Sequence, residues 1–209
     1  MVRAGPKNSA AIWLLSFRLT ISVLALVPLI LLLLDIVRSQ LGPDPGEVVT
    51  KALGLAAFQL LLVTLAMTPL RKVTGWAGWL RVRRMLGLFS FFYAVLHVLA
   101  FLQFIVGWQD LWSSFTRRPY IIFGLIAFVG MIPLALTSTR GMMRRLGKRW
   151  KSLHRAIYLI ALAAWFHFLW QARSDIGEMV LYGAVLVLLL GVRLFWSPGI
   201  RRIRLPGRV

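Results

Sequence analysis

Residues 150–170 read WKSLHRAIYLIALAAWFHFLW, an apolar run with one histidine near each end. The run is long enough to cross a bilayer as a helix, which takes about 20 mostly apolar residues. Its histidines, His154 and His167, are two of only three in the chain. Ionisable side chains are costly within a membrane span and usually have a function there. The stretch therefore predicts a transmembrane helix that carries functional residues at two depths.

The rest of the chain has the same membrane character. Hydrophobic residues make up 59% of its 209 residues, whereas soluble domains contain about half. The chain has no cysteine, which excludes disulfides, thiolate ligands and iron–sulfur clusters. The first apolar run lacks a small-residue cleavage site and is interpreted as a retained span, not as a signal peptide. Apolar runs predict six spans, at about 10–34, 52–70, 85–106, 119–138, 154–171 and 179–196.

The loops between these spans are short and rich in glycine, proline and charge, as in the LGPDPGE sequence at 41–47. No convincing internal repeat and no low-complexity segment is found. Residues 1–209 are therefore predicted to form a single domain. The expected fold is an all-α membrane protein, a bundle of six transmembrane helices.

The formal net charge of +19 is distributed unevenly along the chain. Basic residues favour the cytoplasmic side of a membrane protein. Here they gather between spans two and three, between spans four and five, and towards the C-terminus: Arg71, Lys72, Arg81, Arg83, Arg84, Arg140, Arg144, Arg145, Lys148, Arg149, Lys151, Arg155, Arg193, Arg201, Arg202, Arg204 and Arg208. The six acidic residues fall in the other loops: Asp35, Asp44, Glu47, Asp110, Asp175 and Glu178. Both termini are therefore predicted to be cytoplasmic. The positive charge is interpreted as an orientation signal that also attracts anionic lipids, and not as a nucleic-acid-binding surface.

His97 and His167 are predicted to lie at the same depth. His97 follows Arg84 by 13 residues, and His167 follows His154 by 13 residues. At 1.5 Å per residue, both rise about 20 Å from the basic loops where their spans begin. Spans three and five run in the same direction, so the two imidazoles arrive at one level, nearer the outer surface.

Two facing histidines at one level suit a bis-histidine haem, in which two neutral imidazoles ligate one iron. Aromatic residues around these positions are expected to pack on the porphyrin: Phe89, Phe91, Phe92, Phe101, Phe104, Trp165, Phe166 and Phe168. The plainer alternative is that each histidine only bonds a helix carbonyl. Zinc or proton transfer fits less well, because no carboxylate lies within any span.

His154 lies close to the predicted cytoplasmic boundary, where its level partners on span three are Arg83 and Arg84. It could supply one ligand to a lower haem, or it could simply be a boundary histidine. Thirteen residues at 100° each leave an angle of about 220° between His154 and His167 on a straight helix. The two side chains therefore share a face only if span five is bent or twisted.

Four stretches carry a resemblance to a known family: RRMLGLFSFFYAVLHVLAF at 83–101, TRRPYIIFGLIAF at 116–128, LALTSTRGMMRRLGKRWKSLHRAIYLIALAAWFHFLW at 134–170 and GPDPG at 42–46. They resemble the haem-binding membrane subunit of the bacterial periplasmic methionine-sulfoxide reductase system, within the ferric-reductase-like transmembrane group. The resemblance covers nearly the whole chain.

The resemblance implies an electron-transfer subunit in the bacterial inner membrane rather than the catalytic subunit of an enzyme. Such a subunit carries haem b and passes electrons from the quinone pool or a cytoplasmic flavin reductase to a periplasmic molybdenum-cofactor reductase, its heterodimer partner. That reductase repairs oxidised methionines in envelope proteins. FMN is also associated with the family, and the basic loops 71–84 and 140–155, including Arg83 and Arg84, could attract its phosphate.

By position, His97 and His167 match family haem ligands, and His154 matches the histidine of a lower haem or cofactor site. Ferric-reductase relatives usually have two histidines on each of two helices, and the span-three partner of His154 is missing here. One or two haems are therefore expected. The outer loops with Trp108, Trp112 and the Arg117-Arg118-Pro119 turn are where a periplasmic partner would dock.

Two other functions stay open from the residues alone. A small transporter or assembly factor without redox function would use its histidines only to satisfy backbone carbonyls. A self-contained ferric-iron reductase would share the haem but needs attached flavin and nicotinamide domains. The 209 residues leave no room for such domains, so the electron donor is expected to be a separate protein.

Overall fold

The structure, a computed structural model, describes residues 6–107, 118–172 and 176–196, with side chains from Ile12 onwards. In these ranges the chain forms eight α-helices and no strand. The helices are α1 (Pro6–Val37), α2 (Pro45–Thr74), α3 (Gly78–Ala100), α4 (Tyr120–Leu136), α5 (Arg140–Leu146), α6 (Lys148–Leu153), α7 (Ile157–Gln171) and α8 (Ile176–Phe195). A π-helical turn, Phe101–Val106, extends α3, and a 3₁₀ turn, His154–Ala156, joins α6 to α7.

The predicted all-helical, multi-pass architecture is confirmed. Five helical segments within the described residues are long and apolar enough to cross a membrane, and α4 with α5 gives a sixth if that bent pair is counted as one span. The axes of α4 and α5 differ by 92°. Each predicted span corresponds to one of these helices, although the helices extend several residues further at some ends.

Local sequence signals set the ends of α2, which runs well beyond the predicted 52–70. The Asp44 side chain accepts a hydrogen bond from the Glu47 backbone N–H at 3.0 Å, and Pro45 occupies the first helical position. Both features are typical of helix starts. At the other end, Gly75 adopts a left-handed conformation with φ of 72° and donates its N–H to the Arg71 carbonyl. The apolar run alone therefore underestimates the length of this helix.

Helix α2 lies at the centre of the bundle. Half of its most apolar window is buried, compared with 11–22% for the other spanning segments. It packs most extensively against α3, while α4 packs mainly against α7. The main core joins α2, α4, α7 and α8 through buried side chains that include Phe58, Leu61, Leu65, Met131, Ile160, Ala161 and Leu186.

Helix α1 faces outwards along most of its length, and its large apolar side chains are exposed as expected for a lipid-facing helix. One buried contact ties it to α3. The Tyr93 hydroxyl donates to the Ala25 carbonyl at 2.8 Å and accepts from the Leu29 backbone N–H at 3.1 Å. The hydroxyl thus lies between the Ala25 carbonyl and the Leu29 N–H, which would bond each other directly in a regular helix. Pro28 is next to Leu29 in the sequence.

Span five is irregular at His154 itself. The 3₁₀ turn His154–Ala156 separates α6 from α7. Three residues wound at 3.0 residues per turn, instead of the 3.6 of an α-helix, add about 60° to the rotation between His154 and His167. This winding does not bring His154 onto the same face as His167. The two rings therefore meet different neighbours.

Candidate functional site

The bundle brings His97 and His167 together, although they lie on different helices, α3 and α7. Their ring centroids are 6.2 Å apart, and the ring planes are inclined by 76°. The two imidazoles therefore do reach one level and face each other. We refer to them as the histidine pair.

Each ring of the histidine pair is anchored through Nδ1 to a neighbouring helix. His97 Nδ1 lies 2.8 Å from the Thr50 carbonyl oxygen of α2, and His167 Nδ1 lies 2.8 Å from the Tyr120 carbonyl oxygen of α4. A carbonyl only accepts, so in each ring Nδ1 carries the proton and donates it. Nε2 of each neutral ring keeps its lone pair, and within the described residues it has no hydrogen-bond partner. A metal-ligating histidine has this same arrangement.

A glycine lies directly behind each ring. A Cβ atom added at Gly54 would come within 2.8 Å of His97 Nδ1, and one added at Gly124 would come within 2.8 Å of His167 Nδ1. Both glycines lie one helical turn after the carbonyl that anchors the ring. Without a side chain at these positions, the imidazole can approach the backbone of the adjacent helix closely enough to bond it.

The two halves of the site repeat each other. Thr50 and Tyr120, Gly54 and Gly124, and His97 and His167 are each 70 residues apart in the sequence. Each histidine follows its anchoring carbonyl by 47 residues. The α2–α3 and α4–α7 pairs thus form the same arrangement of carbonyl, glycine and histidine twice. The sequence analysis missed this relation. The equal glycine-to-histidine spacing was the signal that could have revealed it.

The spacing of the histidine pair fits a single metal ion between the rings. Two metal–nitrogen bonds of about 2.0 Å, plus about 1.1 Å from each nitrogen to its ring centre, place the centroids about 6.2 Å apart. Nowhere in the described part of the chain, the histidine pair included, do three His, Cys, Asp or Glu side chains come together. A zinc site takes three or four protein ligands. Two imidazoles suit a haem iron, whose other four ligands come from the porphyrin.

Only some of the expected aromatic residues surround the histidine pair. Phe168, which was expected, lies with its ring centroid 6.0 Å from that of His167, and Tyr120, which was not, lies at 5.7 Å. Phe92, Phe104 and Phe166 are 41%, 57% and 44% exposed instead. Helical rotation, which a list of nearby residue numbers does not capture, turns these three outwards to the lipid-facing surface.

His154 forms a second, separate location beside a small cavity. Its ring stacks on Trp150 with centroids 3.9 Å apart, and Nδ1 lies 3.1 Å from the Trp150 carbonyl. Nε2 is buried and has no hydrogen-bond partner within the described residues. The nearby Leu134 carbonyl already accepts from the hydroxyls of Thr137 and Ser138. The cavity is lined by Gly87, Leu88, Phe91, Met131, Leu134, Ala135, Ser138, His154 and Ile157.

The predicted cofactor residues Arg83 and Arg84 lie at this lower level and not beside the histidine pair. Arg83 Nη1 is 3.4 Å from the Thr68 hydroxyl, and Arg84 Nη1 is 3.3 Å from the Met143 sulfur. The 70-residue relation pairs Arg84 with His154. An arginine therefore occupies the position where the repeat would place a histidine opposite His154.

Arg193 also reaches this region, from the last turn of α8. The sequence analysis counted it only as part of the basic C-terminal end. The structure turns its side chain into the bundle, where Nε and Nη1 are buried and have no hydrogen-bond partner among the residues that the structure describes. An arginine close to the end of an apolar run gave no sequence signal for this inward direction.

The predicted docking loop lies partly outside the described residues. Trp108, Trp112 and Arg117 fall in the range that the structure does not describe. Arg118 and Pro119, which precede α4, are exposed.

Comparison with known proteins identifies the family of this chain. Residues 53–165 match the family described as ferric reductase like transmembrane component, and this range contains Gly54, His97, Gly124 and His154. The chain belongs to this family. Among curated relatives, it is 47% identical over 164 residues to the protein-methionine-sulfoxide reductase heme-binding subunit MsrQ of Xanthomonas campestris pv. campestris (strain B100). That alignment covers 78% of this chain and 75% of the relative.

Family membership confirms the resemblance identified from the sequence motifs. The helices themselves also indicate a multi-pass membrane protein. The matched range ends at residue 165, two residues before His167. The family match therefore does not include His167.

Proposed function

We propose that this chain is a b-type cytochrome that holds a haem between His97 and His167 and transfers electrons across the membrane. The observation that carries the proposal is the histidine pair: two imidazoles 6.2 Å apart, each anchored at Nδ1. The 47% identity to a relative named as a heme-binding subunit of a protein-methionine-sulfoxide reductase supports it.

The same relative supports a place for this chain in methionine-sulfoxide repair. On this proposal, electrons come from the quinone pool or a cytoplasmic flavin reductase and cross the bacterial inner membrane. They pass to a periplasmic molybdenum-cofactor reductase bound as a heterodimer partner, which reduces oxidised methionines of envelope proteins. The chain itself is the electron-transfer subunit, and the partner carries out the substrate chemistry.

The residues of this chain have defined tasks in such a site. The Thr50 and Tyr120 carbonyls hold the Nδ1 protons and keep the Nε2 lone pairs directed away from the anchoring helices. Gly54 and Gly124 allow both rings to sit against the backbone. The surrounding apolar helices exclude water and thereby influence the redox potential. Bound haem iron supplies one-electron chemistry by cycling between its ferric and ferrous states.

The proposal also includes a lower haem or other cofactor site at His154. The buried, unpartnered Nε2 of His154 and the adjacent cavity support a ligand there. Arg83 and Arg84 are the basic residues at this level and could hold a cofactor carboxylate or the phosphate of FMN. Cofactors at two depths would divide the distance that electrons cover through the hydrocarbon.

The alternative function is a small transporter or assembly factor without redox activity, whose histidines only bond helix carbonyls. Both histidines do bond carbonyls, as this alternative predicts. It does not account for two Nε2 atoms that lack partners among the described residues, in rings spaced for one metal ion between them. The haem interpretation accounts for both features.

Spectra of the purified protein test the haem proposal. We expect dithionite-reduced minus oxidised spectra with b-type bands in the wild type, and loss of the bands of the haem at the histidine pair in His97→Ala and in His167→Ala. His154→Ala, which leaves the histidine pair intact, is the matched control and should retain those bands. Colourless wild-type protein, or full haem content in both His97→Ala and His167→Ala, would contradict the proposal. Thermal unfolding gives a second readout, since a ligand that binds only the folded state raises its stability.

A further inference from the structure

Gln59 and Tyr182 form a polar contact between two membrane-spanning helices, and we call them the amide–hydroxyl pair. The Gln59 side-chain nitrogen of α2 lies 2.6 Å from the Tyr182 hydroxyl oxygen of α8. Gln59 follows Thr50, whose carbonyl anchors His97, by nine residues, and Arg71, the next basic residue of α2, follows Gln59 by twelve. At 1.5 Å per residue these separations are about 14 and 18 Å along the helix. The contact therefore lies well inside hydrocarbon about 30 Å thick, where no water is available.

The contact leaves hydrogen-bonding groups of both side chains unused. The amide has two N–H groups and a carbonyl oxygen, and the hydroxyl both donates and accepts. One hydrogen bond joins them, so two donors and an acceptor oxygen are left, whichever side chain donates. Neither side chain makes a further hydrogen bond within the described residues. Polar groups without partners are costly in hydrocarbon, which favours a ligand that bonds them.

Other polar side chains in the described spans use their donors on the backbone. The hydroxyls of Thr64 and Ser90 each donate to a backbone carbonyl at 2.8 Å. The Tyr93 hydroxyl both donates and accepts, and the Trp165 indole donates its only N–H. The amide–hydroxyl pair differs from these groups, because its two side chains bond each other and keep unused donors.

The amide–hydroxyl pair lies at the edge of the bundle. Gln59 and Tyr182 are both partly exposed. One turn further along each helix, Val63 of α2 and Val185 of α8 are 41% and 37% exposed. Exposed apolar side chains in a membrane-spanning helix face the lipid. A ligand dissolved in the bilayer can therefore reach the pair without passing through the bundle.

Aromatic rings connect the amide–hydroxyl pair to the histidine pair. The Tyr182 ring meets the Phe58 ring edge to face, with centroids 5.9 Å apart. Phe58 stacks on Phe168 at 5.3 Å, and Phe168 lies 6.0 Å from His167. Three ring contacts thus lead from the polar contact to an imidazole that the proposed haem would use. This position suits a ligand with redox chemistry.

We propose that Gln59 and Tyr182 bind the head group of a lipid-soluble quinone and of its reduced form, the quinol. A quinone is flat and uncharged, and its carbonyl oxygens accept hydrogen bonds from the unused donors. The quinol hydroxyls also donate, and the unused acceptor oxygen of the pair receives that bond. A charged lipid head group would be costly at this depth. The choice of a quinone over another neutral lipid rests on the proposed electron-transfer function.

A polar contact between spans can also have a purely structural role. Tyr182→Phe keeps the ring against Phe58 and removes the hydroxyl, and Gln59→Leu removes the amide. The double variant removes both groups, so neither is left unpaired in the bundle. Its thermal unfolding should therefore stay close to that of the wild type. A loss of ligand binding in the double variant then reflects the missing polar groups.

The experiment uses the full-length, oxidised protein in detergent. Decylubiquinone is titrated, and the bound fraction is measured by native mass spectrometry. The comparison ligand is the analogue in which hydrogen replaces both carbonyl oxygens, which keeps the ring and the tail. Tyr158→Phe is the matched control, because it removes a hydroxyl of α7 that makes no hydrogen bond within the described residues. Reduced minus oxidised spectra of the same samples record the haem.

We expect decylubiquinone to bind more tightly than the analogue without carbonyl oxygens. Tyr182→Phe and Gln59→Leu should each weaken quinone binding about fivefold, the effect of losing one hydrogen bond between neutral groups. The double variant should weaken it more than about tenfold. Tyr158→Phe should change it less than about twofold, because its hydroxyl has no hydrogen bond to lose.

The proposal is overturned if the wild type does not bind decylubiquinone, or if the double variant binds it as tightly as the wild type. Equal binding of the quinone and the analogue would also contradict it, since an apolar crevice alone would then hold the ligand. Haem bands in a wild type that binds no quinone would exclude this site and leave the haem function standing. Quinone binding that depends on Gln59 and Tyr182 in a colourless protein would support the site and contradict the haem function.

Discussion

At the scale of single residues, Gly54 and Gly124 decide how the histidine pair is oriented. We expect Gly54→Ala and Gly124→Ala to lower haem occupancy and to alter the spectrum of the haem that remains. The added methyl group would lie 2.8 Å from an imidazole nitrogen, so the ring must tilt away from its anchoring carbonyl. Haem content per protein and the position of the reduced bands measure the effect.

Gly191→Ala is the control for these two substitutions. A Cβ atom at Gly191, within α8, meets nothing within 4 Å. Alanine also favours a helix over glycine by up to about 1 kcal/mol. This variant should therefore keep full haem content and unfold at the same or a slightly higher temperature. Unchanged haem spectra in both Gly54→Ala and Gly124→Ala would show that the close packing does not set the ring positions.

At the scale of elements, the Tyr93 hydroxyl of α3 bonds the backbone of the lipid-facing α1 and holds it against the bundle. Tyr93→Phe removes a buried hydroxyl that bonds two backbone groups of α1. We expect a loss of about 1–3 kcal/mol in stability, with faster amide hydrogen exchange in α1 around Ala25 and Leu29. Thermal unfolding in detergent and hydrogen-exchange mass spectrometry measure the two effects.

Tyr158→Phe is the comparison for Tyr93→Phe. Within the described residues the Tyr158 hydroxyl makes no hydrogen bond, and its ring contact with Arg193 survives in phenylalanine. Its stability should therefore stay close to that of the wild type. If both variants lose the same stability, the hydroxyl bridge to α1 contributes nothing measurable.

At the scale of the whole molecule, the separation of charges predicts the orientation in the membrane. If the bent pair α4–α5 forms a sixth span, both termini lie on one side, and we expect the end with the basic loops 71–84 and 140–155 to face the cytoplasm. A green fluorescent protein fused after Val209 should fluoresce, and alkaline phosphatase fused there should be inactive. Fusions within residues 38–44, between α1 and α2, should give the opposite pair of results. Active phosphatase at the C-terminus would reverse the predicted orientation.

Much of the architecture was predictable because helices that contact lipid must be apolar over a length set by the bilayer. The six apolar runs correspond to five spanning segments and the bent pair α4–α5, and counting residues placed His97 and His167 at one level. The aromatic surroundings were predicted less well. Phe92, Phe104 and Phe166 are close to the histidines in the sequence, but they point outwards. The rotation of each helix depends on packing against its neighbours, which hydropathy does not report.

The sequence by itself determined the helical, membrane-spanning character of the protein, its charge asymmetry and the depth of its histidines. These properties depend on local composition and on the fixed rise of a helix. Tertiary structure alone decided what each side chain contacts. It determined the carbonyls that anchor His97 and His167, the close approach of these rings to Gly54 and Gly124, and the inward direction of the Arg193 side chain. Such contacts join residues far apart in the chain, so only the packing of whole helices brings them together.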